Sequence, residues 1–123
     1  MPRVSEKKAV CIFEDSKDIQ FHLRFFFAKH GFEPHVREDA LDAVAVVRRH
    51  APALILLDLN MPGKDGLEAC RELRADGVRA HIAILTASDL GEVQERALAA
   101  GADVCLAKPF RLSHLDALLA SLK

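Results

Sequence analysis

The stretch Leu54-Ile55-Leu56-Leu57-Asp58-Leu59-Asn60-Met61-Pro62-Gly63-Lys64-Asp65-Gly66 pairs four consecutive large apolar residues with a carboxylate at their end. Apolarity that is continuous rather than alternating is what a strand covered on both faces requires. A helical pattern follows from Gly66 to about Ala75. Working outward, the same arrangement recurs. Short apolar runs stand at Ala9–Phe13, Ile82–Leu85 and Val104–Ala107, and a weaker one at Glu33–Val36 suits an edge strand, where polar residues are tolerated. Helical stretches lie between them at about Lys17–His30, Ala40–His50, Glu92–Ala100 and Ser113–Leu122. Gly31, Gly77 and Gly101 follow three of these helices in the position of a C-terminal cap. Alternating strands and helices with core-type strands predict an α/β domain, a parallel sheet between two helical layers with right-handed crossovers. In an open sheet of that kind, ligands bind beyond the carboxyl ends of the strands, where strand order reverses.

Composition narrows the function. The 123 residues are 50% hydrophobic and 28% charged, so the chain buries a core rather than remaining disordered. Seventeen Lys and Arg against 18 Asp and Glu leave a net charge of −1, which gives no electrostatic case for nucleic acid or for an anionic membrane surface. No apolar run approaches the roughly 20 residues of a membrane span, and no secretory signal is visible. Cys11, Cys70 and Cys105 form no Cys-x-x-Cys pair and read as free thiols in a cytoplasmic protein. The expectation is one domain over residues 1–123 with no output module.

The chemistry gathers after the strands. Glu14-Asp15 follows the first, Asp58 the third, Thr86-Ala87-Ser88 the fourth and Lys108-Pro109 the fifth. A polar residue at a single strand end needs no explanation, but three carboxylates converging on one sheet edge do. Like charges ~4 Å apart repel by ~4 kcal/mol at an effective dielectric of ~20, so such a cluster takes up protons or recruits a cation. Hard oxygen ligands with open positions suit Mg²⁺, and Lys108 and Thr86 offer the ammonium and hydroxyl that a phosphoryl group beside the metal requires. Acids, hydroxyl and lysine together point to phosphoryl transfer onto a carboxylate.

In order and spacing, Glu14-Asp15, the Leu-Asp58-Leu-Asn60-Met-Pro-Gly-x-Asp-Gly segment, Thr86-Ala87 and Lys108-Pro109-Phe110 resemble the receiver domain of two-component response regulators, over essentially the whole chain. The resemblance implies a flavodoxin-like fold: a five-stranded, doubly wound parallel sheet in order 2-1-3-4-5 with five helices. It implies Asp58 as phosphoacceptor, with Thr86 and Lys108 contacting the phosphoryl group. Asp15 becomes the direct Mg²⁺ ligand and Glu14 its partner through water, with Asp58 and the backbone carbonyl of Asn60 completing the metal site. A cis Lys108–Pro109 peptide belongs to the same pattern. The implied partners are a sensor histidine kinase or phosphotransfer protein as donor and a downstream protein whose identity the sequence does not give. Catalysis is expected to be self-directed, confined to the domain's own phosphorylation and dephosphorylation.

Rival readings leave residue-level traces. A flavodoxin-like cofactor binder needs a Gly/Ser/Thr-rich phosphate loop after the first strand, where this chain has Glu14-Asp15-Ser16-Lys17-Asp18. An aspartate-nucleophile phosphatase resembles Asp-x-Asp, whereas Leu59 and Asn60 follow Asp58. A phosphorylation-independent interaction module is favoured by loss of an acid or of the lysine, and none is lost. Six histidines form no ligand-spaced pair and read as scattered surface or helix-end residues. Cys11 and Cys70 read as small core fillers. On the first helix Ile19, Leu23, Phe26, Phe27 and His30 share the face expected to meet the sheet. Phe21 and Phe25 then project to the opposite side, as a candidate docking face for the phosphodonor. Cys105 stands where receivers usually carry an aromatic ring that moves on activation, so the switch is expected to act through Thr86 and the Ala87–Gly91 loop.

Overall fold

Each apolar run of the sequence becomes a strand and each helical stretch a helix in the computed structural model, which describes residues 8–122. In chain order these are β1 (Lys8–Phe13), α1 (Lys17–Lys29), β2 (Phe32–Arg37), α2 (Ala43–His50), β3 (Leu54–Asp58), α3 (Gly66–Ala75), β4 (His81–Thr86), α4 (Leu90–Ala100), β5 (Val104–Ala107) and α5 (Leu112–Ala120). The five strands are parallel and ordered β2-β1-β3-β4-β5, the flavodoxin-like order expected. Chain order reverses between β1 and β3, whose carboxyl ends therefore flank the crevice where such sheets bind ligands.

Alternate residues of the central strands feed two separate cores. Cys11, Phe13, Ile55, Leu57, Ile82 and Ile84 pack with Val47 of α2, Leu73 of α3 and Ala97 of α4. Val10, Ile12, Leu54, Leu56, Ala83 and Leu85 pack with Leu23 and Phe27 of α1 and Leu115 and Leu118 of α5. β3 is buried along its whole length, which is why its sequence shows no alternation. Burying each large side chain contributes roughly 1.5–3 kcal/mol. β2 is the half-buried edge, and Pro34 sits within it opposite Val10. Gly31, Gly77 and Gly101 all have positive φ after their helices, at 86°, 88° and 104°.

Four local expectations change. α2 begins at Ala43 rather than Ala40, because Asp39 Oδ1 accepts from Leu41 N (3.0 Å) in a turn that buries Ala40 before the helix starts. α4 begins earlier than Glu92, at Leu90, where the Asp89 carboxylate caps it by accepting from Gly91 N at 2.7 Å. α5 runs Leu112–Ala120, one residue earlier at its start and two at its end than expected. On α1, His30 lies at the exposed end, its ring tilted over Phe26 with centroids 4.3 Å apart, and Ile19 is half-buried. Gln20 is buried in their place.

Candidate functional site

β1 delivers its last apolar side chain at Phe13 and turns at once into Glu14-Asp15-Ser16, which leads into α1. Ser16 caps the helix, its hydroxyl accepting from Ile19 N at 3.4 Å, and its own N–H donates to Glu14 Oε2 at 2.9 Å. Gln20, one turn into the helix, sends its side-chain amide back to the Glu14 carbonyl at 2.5 Å. The Glu14 N–H is taken by the Arg37 carbonyl at the end of β2 (3.0 Å). Glu14 is thus fully buried and fixed on all sides. Gln20 is the residue that sequence reading missed. A polar side chain on a helix reads as solvent-facing unless the strand end beside it is known to need a donor.

From β3, Asp58 reaches the same edge at 3% exposure. The following chain returns tightly, with Gly66 N donating to the Leu59 carbonyl at 3.0 Å. A Cβ on Gly66 would stand 2.5 Å from the Asp58 carbonyl oxygen, so a glycine is needed to bring the start of α3 against the end of β3. Thr86, at the end of β4, is fully buried, and its hydroxyl accepts from Ser88 N at 2.9 Å. The backbone of Lys108 is tied to the Thr86 carbonyl at 2.8 Å, and the Lys108–Pro109 peptide is cis.

The Lys108 side chain unites the set. Its Nζ lies 2.8 Å from Glu14 Oε1 and 3.1 Å from Asp58 Oδ1. Burial opposes the lysine's charge, but the two carboxylates outweigh it and hold its pKa above the ordinary value. Asp58 Oδ1 also accepts from Asn60 N at 3.3 Å. Even so, burial and then the Glu14 charge raise Asp58 to about 6, against the opposing pull of Lys108 and the Asn60 N–H. One ammonium therefore does not neutralise the cluster.

Asp15, exposed, completes it. One carboxylate oxygen from each of Glu14, Asp15 and Asp58 lies within 4.8 Å of the others, and among the described residues this is the one group of its kind. Glu14 Oε1 is buried against the Lys108 ammonium at 2.8 Å, the same ammonium that Asp58 uses. Three converging acids that share one ammonium and offer an all-oxygen donor set fit a hard divalent cation of the Mg²⁺ type. Asn60, two residues beyond Asp58, is exposed at the rim.

The remaining candidates separate. Phe21 and Phe25 are 66% and 64% exposed. Phe25 lines an apolar groove of about 900 Å³ between α1 and α5, with Ile19, Phe26, Phe110, Leu112 and Leu115, and the groove reaches Lys108 at the acidic site. Phe21 does not line it. Cys105 is half-buried in β5 beside Ile84, with its thiol pushed up by burial. Cys11 and Cys70 are buried free thiols, as core fillers should be.

The comparisons with known proteins follow this geometry. The family model described as "Response regulator receiver domain" matches residues 10–120. A response regulator named MprA from Mycobacterium sp. (strain KMS) is 34% identical over 113 residues, covering 92% of this chain and 49% of that protein. Its counterpart in Mycobacterium leprae is 37% identical over 109 residues, covering 89% and 48%. The chain thus spans about half the length of these curated relatives. Among solved structures, the receiver domain of a sensor histidine kinase from Pseudomonas aeruginosa, with a magnesium ion coordinated in its active-site cleft, is 31% identical with a TM-score of 0.84, covering 94% of this chain and 97% of that one. The BeF3-activated receiver domain of RstA from Klebsiella pneumoniae is 29% identical with a TM-score of 0.87, covering 94% and 99%.

Proposed function

Since the chain belongs to the receiver domains of two-component response regulators, phosphorylation-based signalling switches, we propose that Asp58 is its phosphoacceptor and that Glu14, Asp15, Asp58 and the Asn60 carbonyl hold Mg²⁺. The observation that carries this reading is the shared lysine. Lys108 bridges Glu14 and Asp58 at 2.8 and 3.1 Å at the one sheet edge where a third acid converges.

When bound, Mg²⁺ supplies positive charge against the crowded carboxylates and the phosphoryl oxygens. The chain does the rest. An Asp58 carboxylate oxygen attacks the phosphorus of a phosphohistidine; the O–P bond forms as the N–P bond breaks, and the imidazole leaves with the bond's electrons and takes a proton from solvent. Lys108, freed from its contact with Asp58, follows the negative charge onto a phosphoryl oxygen. Thr86 is buried beside the end of β3, and its hydroxyl turns from Ser88 N towards the phosphoryl group. Water later attacks the same phosphorus, the O–P bond to Asp58 breaks, and inorganic phosphate and a proton leave to solvent as the Asp58 carboxylate is restored. Asn60 and Ser88 stand exposed at the rim, and neither is bulky or charged, so the phosphoryl group should decay within hours at neutral pH rather than persist.

Response regulators act with histidine kinases or phosphotransfer proteins, and a phosphohistidine protein is the donor in this reading. The groove lined by Phe25 opens towards Lys108, which supports Phe25 as a docking residue more directly than Phe21. The catalysis is self-directed, and a cytoplasmic location accords with three free thiols. None of the described helices is long and apolar enough to cross a membrane.

The deciding experiment labels the chain with acetyl phosphate in Mg²⁺ and maps the product by mass spectrometry. One phosphoryl group should appear on Asp58, none without divalent metal, and none in Asp58→Ala. Stoichiometric labelling of Asp58→Ala at another residue overturns the assignment.

A further inference from the structure

Two of the six histidines are not scattered. His35 of β2 and His50, the last residue of α2, stack with ring centroids 3.5 Å apart and planes 16° from parallel. The strand register sets His35 beside Cys11, which faces the core beneath α2. His35 Nε2 is buried and makes no hydrogen bond, since Glu33 Oε1, 3.3 Å away, is out of line. The titratable and charged groups around the pair are few. β2 supplies Glu33 and Arg37, α2 supplies Arg49, and β1 supplies Cys11, whose thiol is pushed up to about 11 by burial and stays neutral. Burial, His35, Arg49 and Arg37, in that order, hold His50 below the ordinary histidine value, and Glu33 alone opposes them.

We propose that the His35–His50 stack is an acid-released latch between the edge strand β2 and the end of α2, closed while the pair carries at most one proton and parted by the second. Two imidazolium rings at the stacked separation face each other with a single carboxylate beside them, Glu33 at 3.3 Å from His35 Nε2, while the guanidiniums of Arg49 and Arg37 add to the repulsion. With no proton or one, the rings pack as flat partners and seal the helix end onto the sheet. At the end of α2 it is His50 that turns to β2, whereas Arg48 reaches Asp76 at the end of α3, its Nε donating to Oδ2 at 2.9 Å. Arg49 is exposed, and the chain leaves through Ala51 in the left-handed region at φ 46°. The latch also sits on the strand that supports the acidic site, because the Arg37 carbonyl takes the Glu14 N–H.

The sign of the pH effect follows from His50. A histidine held below its ordinary value of 6.5 binds its proton more weakly in the folded than in the unfolded chain, so stability is lost as pH falls from about 6.5 downward. Asp58, raised to about 6, changes stability in the opposite sense over the same range, so the test uses the Asp58→Asn background. There the Tm is followed from pH 7.5 to 5.0, and the histidine rings are titrated by NMR. We expect the Tm to fall by about 5 °C or more through the pair, and His50→Asn in that background to lose less than half as much. The His50 ring should titrate nearer 6.5 when His35 is replaced by Asn, and the amide resonances of Ala43–His50 should move with the second proton. His35→Asn gives the same Tm comparison if His50→Asn does not fold. An equal Tm fall with and without the pair, or a His50 ring whose titration is unchanged when His35 is replaced by Asn, overturns the latch.

Discussion

The two ends of the sheet each centre on one cation, and they use it differently. At the amino end, Arg74 of α3 donates Nε to the Gly101 carbonyl (2.8 Å), Nη1 to the carbonyls of Val78 and Ala80 (2.8 and 2.9 Å), and Nη2 to Asp103 Oδ2 (3.0 Å). The same Asp103 oxygen accepts from Ile82 N at 2.9 Å. One guanidinium thus ties α3, the turn after it, the end of α4 and the start of β5, with one carboxylate to balance it. Gly101 lets it pass, since a Cβ there would stand 2.6 Å from Arg74 Cγ. At the carboxyl end, one ammonium is divided between Glu14 and Asp58 with Asp15 beside them. Charge satisfied within the chain holds the fold together; charge left in excess makes a place for a ligand.

That contrast is broken first by removing each centre. Arg74→Ala leaves the partly buried carbonyls of Gly101, Val78 and Ala80 without this donor and takes the balancing guanidinium from Asp103, which keeps only the Ile82 N–H. With the side chain a quarter exposed, the loss should be about 2–3 kcal/mol, read as a lower urea midpoint. Acetyl phosphate labelling of the folded protein should be unchanged. A cost below about 0.5 kcal/mol would show that the amino-end network does not hold the fold together.

The opposite sign is expected at the other end. In a chelator at pH 7.5, Asp58→Asn should stabilise the fold by about 1–2 kcal/mol while abolishing labelling, because it removes a buried charge that Lys108 does not cancel. Asp58 is raised from 3.8 to about 6, so the folded chain binds this proton more tightly than the unfolded one. The ionised form lowers stability above about pH 6, and that cost fades as pH falls towards about 4. The advantage of Asp58→Asn should fade over the same window, and saturating Mg²⁺ should narrow it at neutral pH by stabilising the native chain alone. A destabilised Asp58→Asn in the chelator would mean that the acids are balanced after all.

The fold was legible because parallel strands carry their burial in the sequence. Leu54–Leu57 and Ile82–Leu85 needed no partner to be recognised. The acids and Lys108 were legible because strand ends converge in such a sheet. What escaped was whatever depends on a contact between distant residues. Gln20 looks like any polar helix residue until the Glu14 carbonyl is seen beside it. His35 and His50 are unremarkable separately and meet only across the β2–α2 packing, and Arg74 reads as a surface arginine until the bends at Gly77 and Gly101 bring carbonyls to it. Helix starts were misread where an aspartate side chain sets the boundary, at Asp39 and Asp89.

A smaller effect tests whether the thiols stand apart from both charged centres. Burial raises Cys11 to about 11 and pushes Cys70 and Cys105 upward too, with no cation offsetting it at Cys105. Native protein at pH 7.5 should therefore react with iodoacetamide only at half-buried Cys105, and slowly, whereas urea should open all three. Rapid modification of Cys105 would instead indicate an activated thiol and a redox role.

The smallest expected effect concerns how the acidic end communicates with the rest of the chain. The position that usually holds a mobile ring is Cys105, which is too small to exchange a large volume between buried and exposed states and whose register partner is the core residue Ile84. Thr86 is different: its hydroxyl accepts from Ser88 N within the loop that leads to α4, and the Asp89 carboxylate caps the helix start. Drawing the Thr86 hydroxyl towards a phosphoryl group breaks the bond to Ser88 and pulls that loop with it. Amide chemical shifts of the beryllofluoride-bound and free chains should then differ most over Thr86–Glu92. Val104–Leu106 should change little, and Cys105→Ala should leave the pattern in place. If the largest changes fall on β5 and Cys105→Ala removes them, the signal leaves through the thiol's strand and the loop before α4 merely follows.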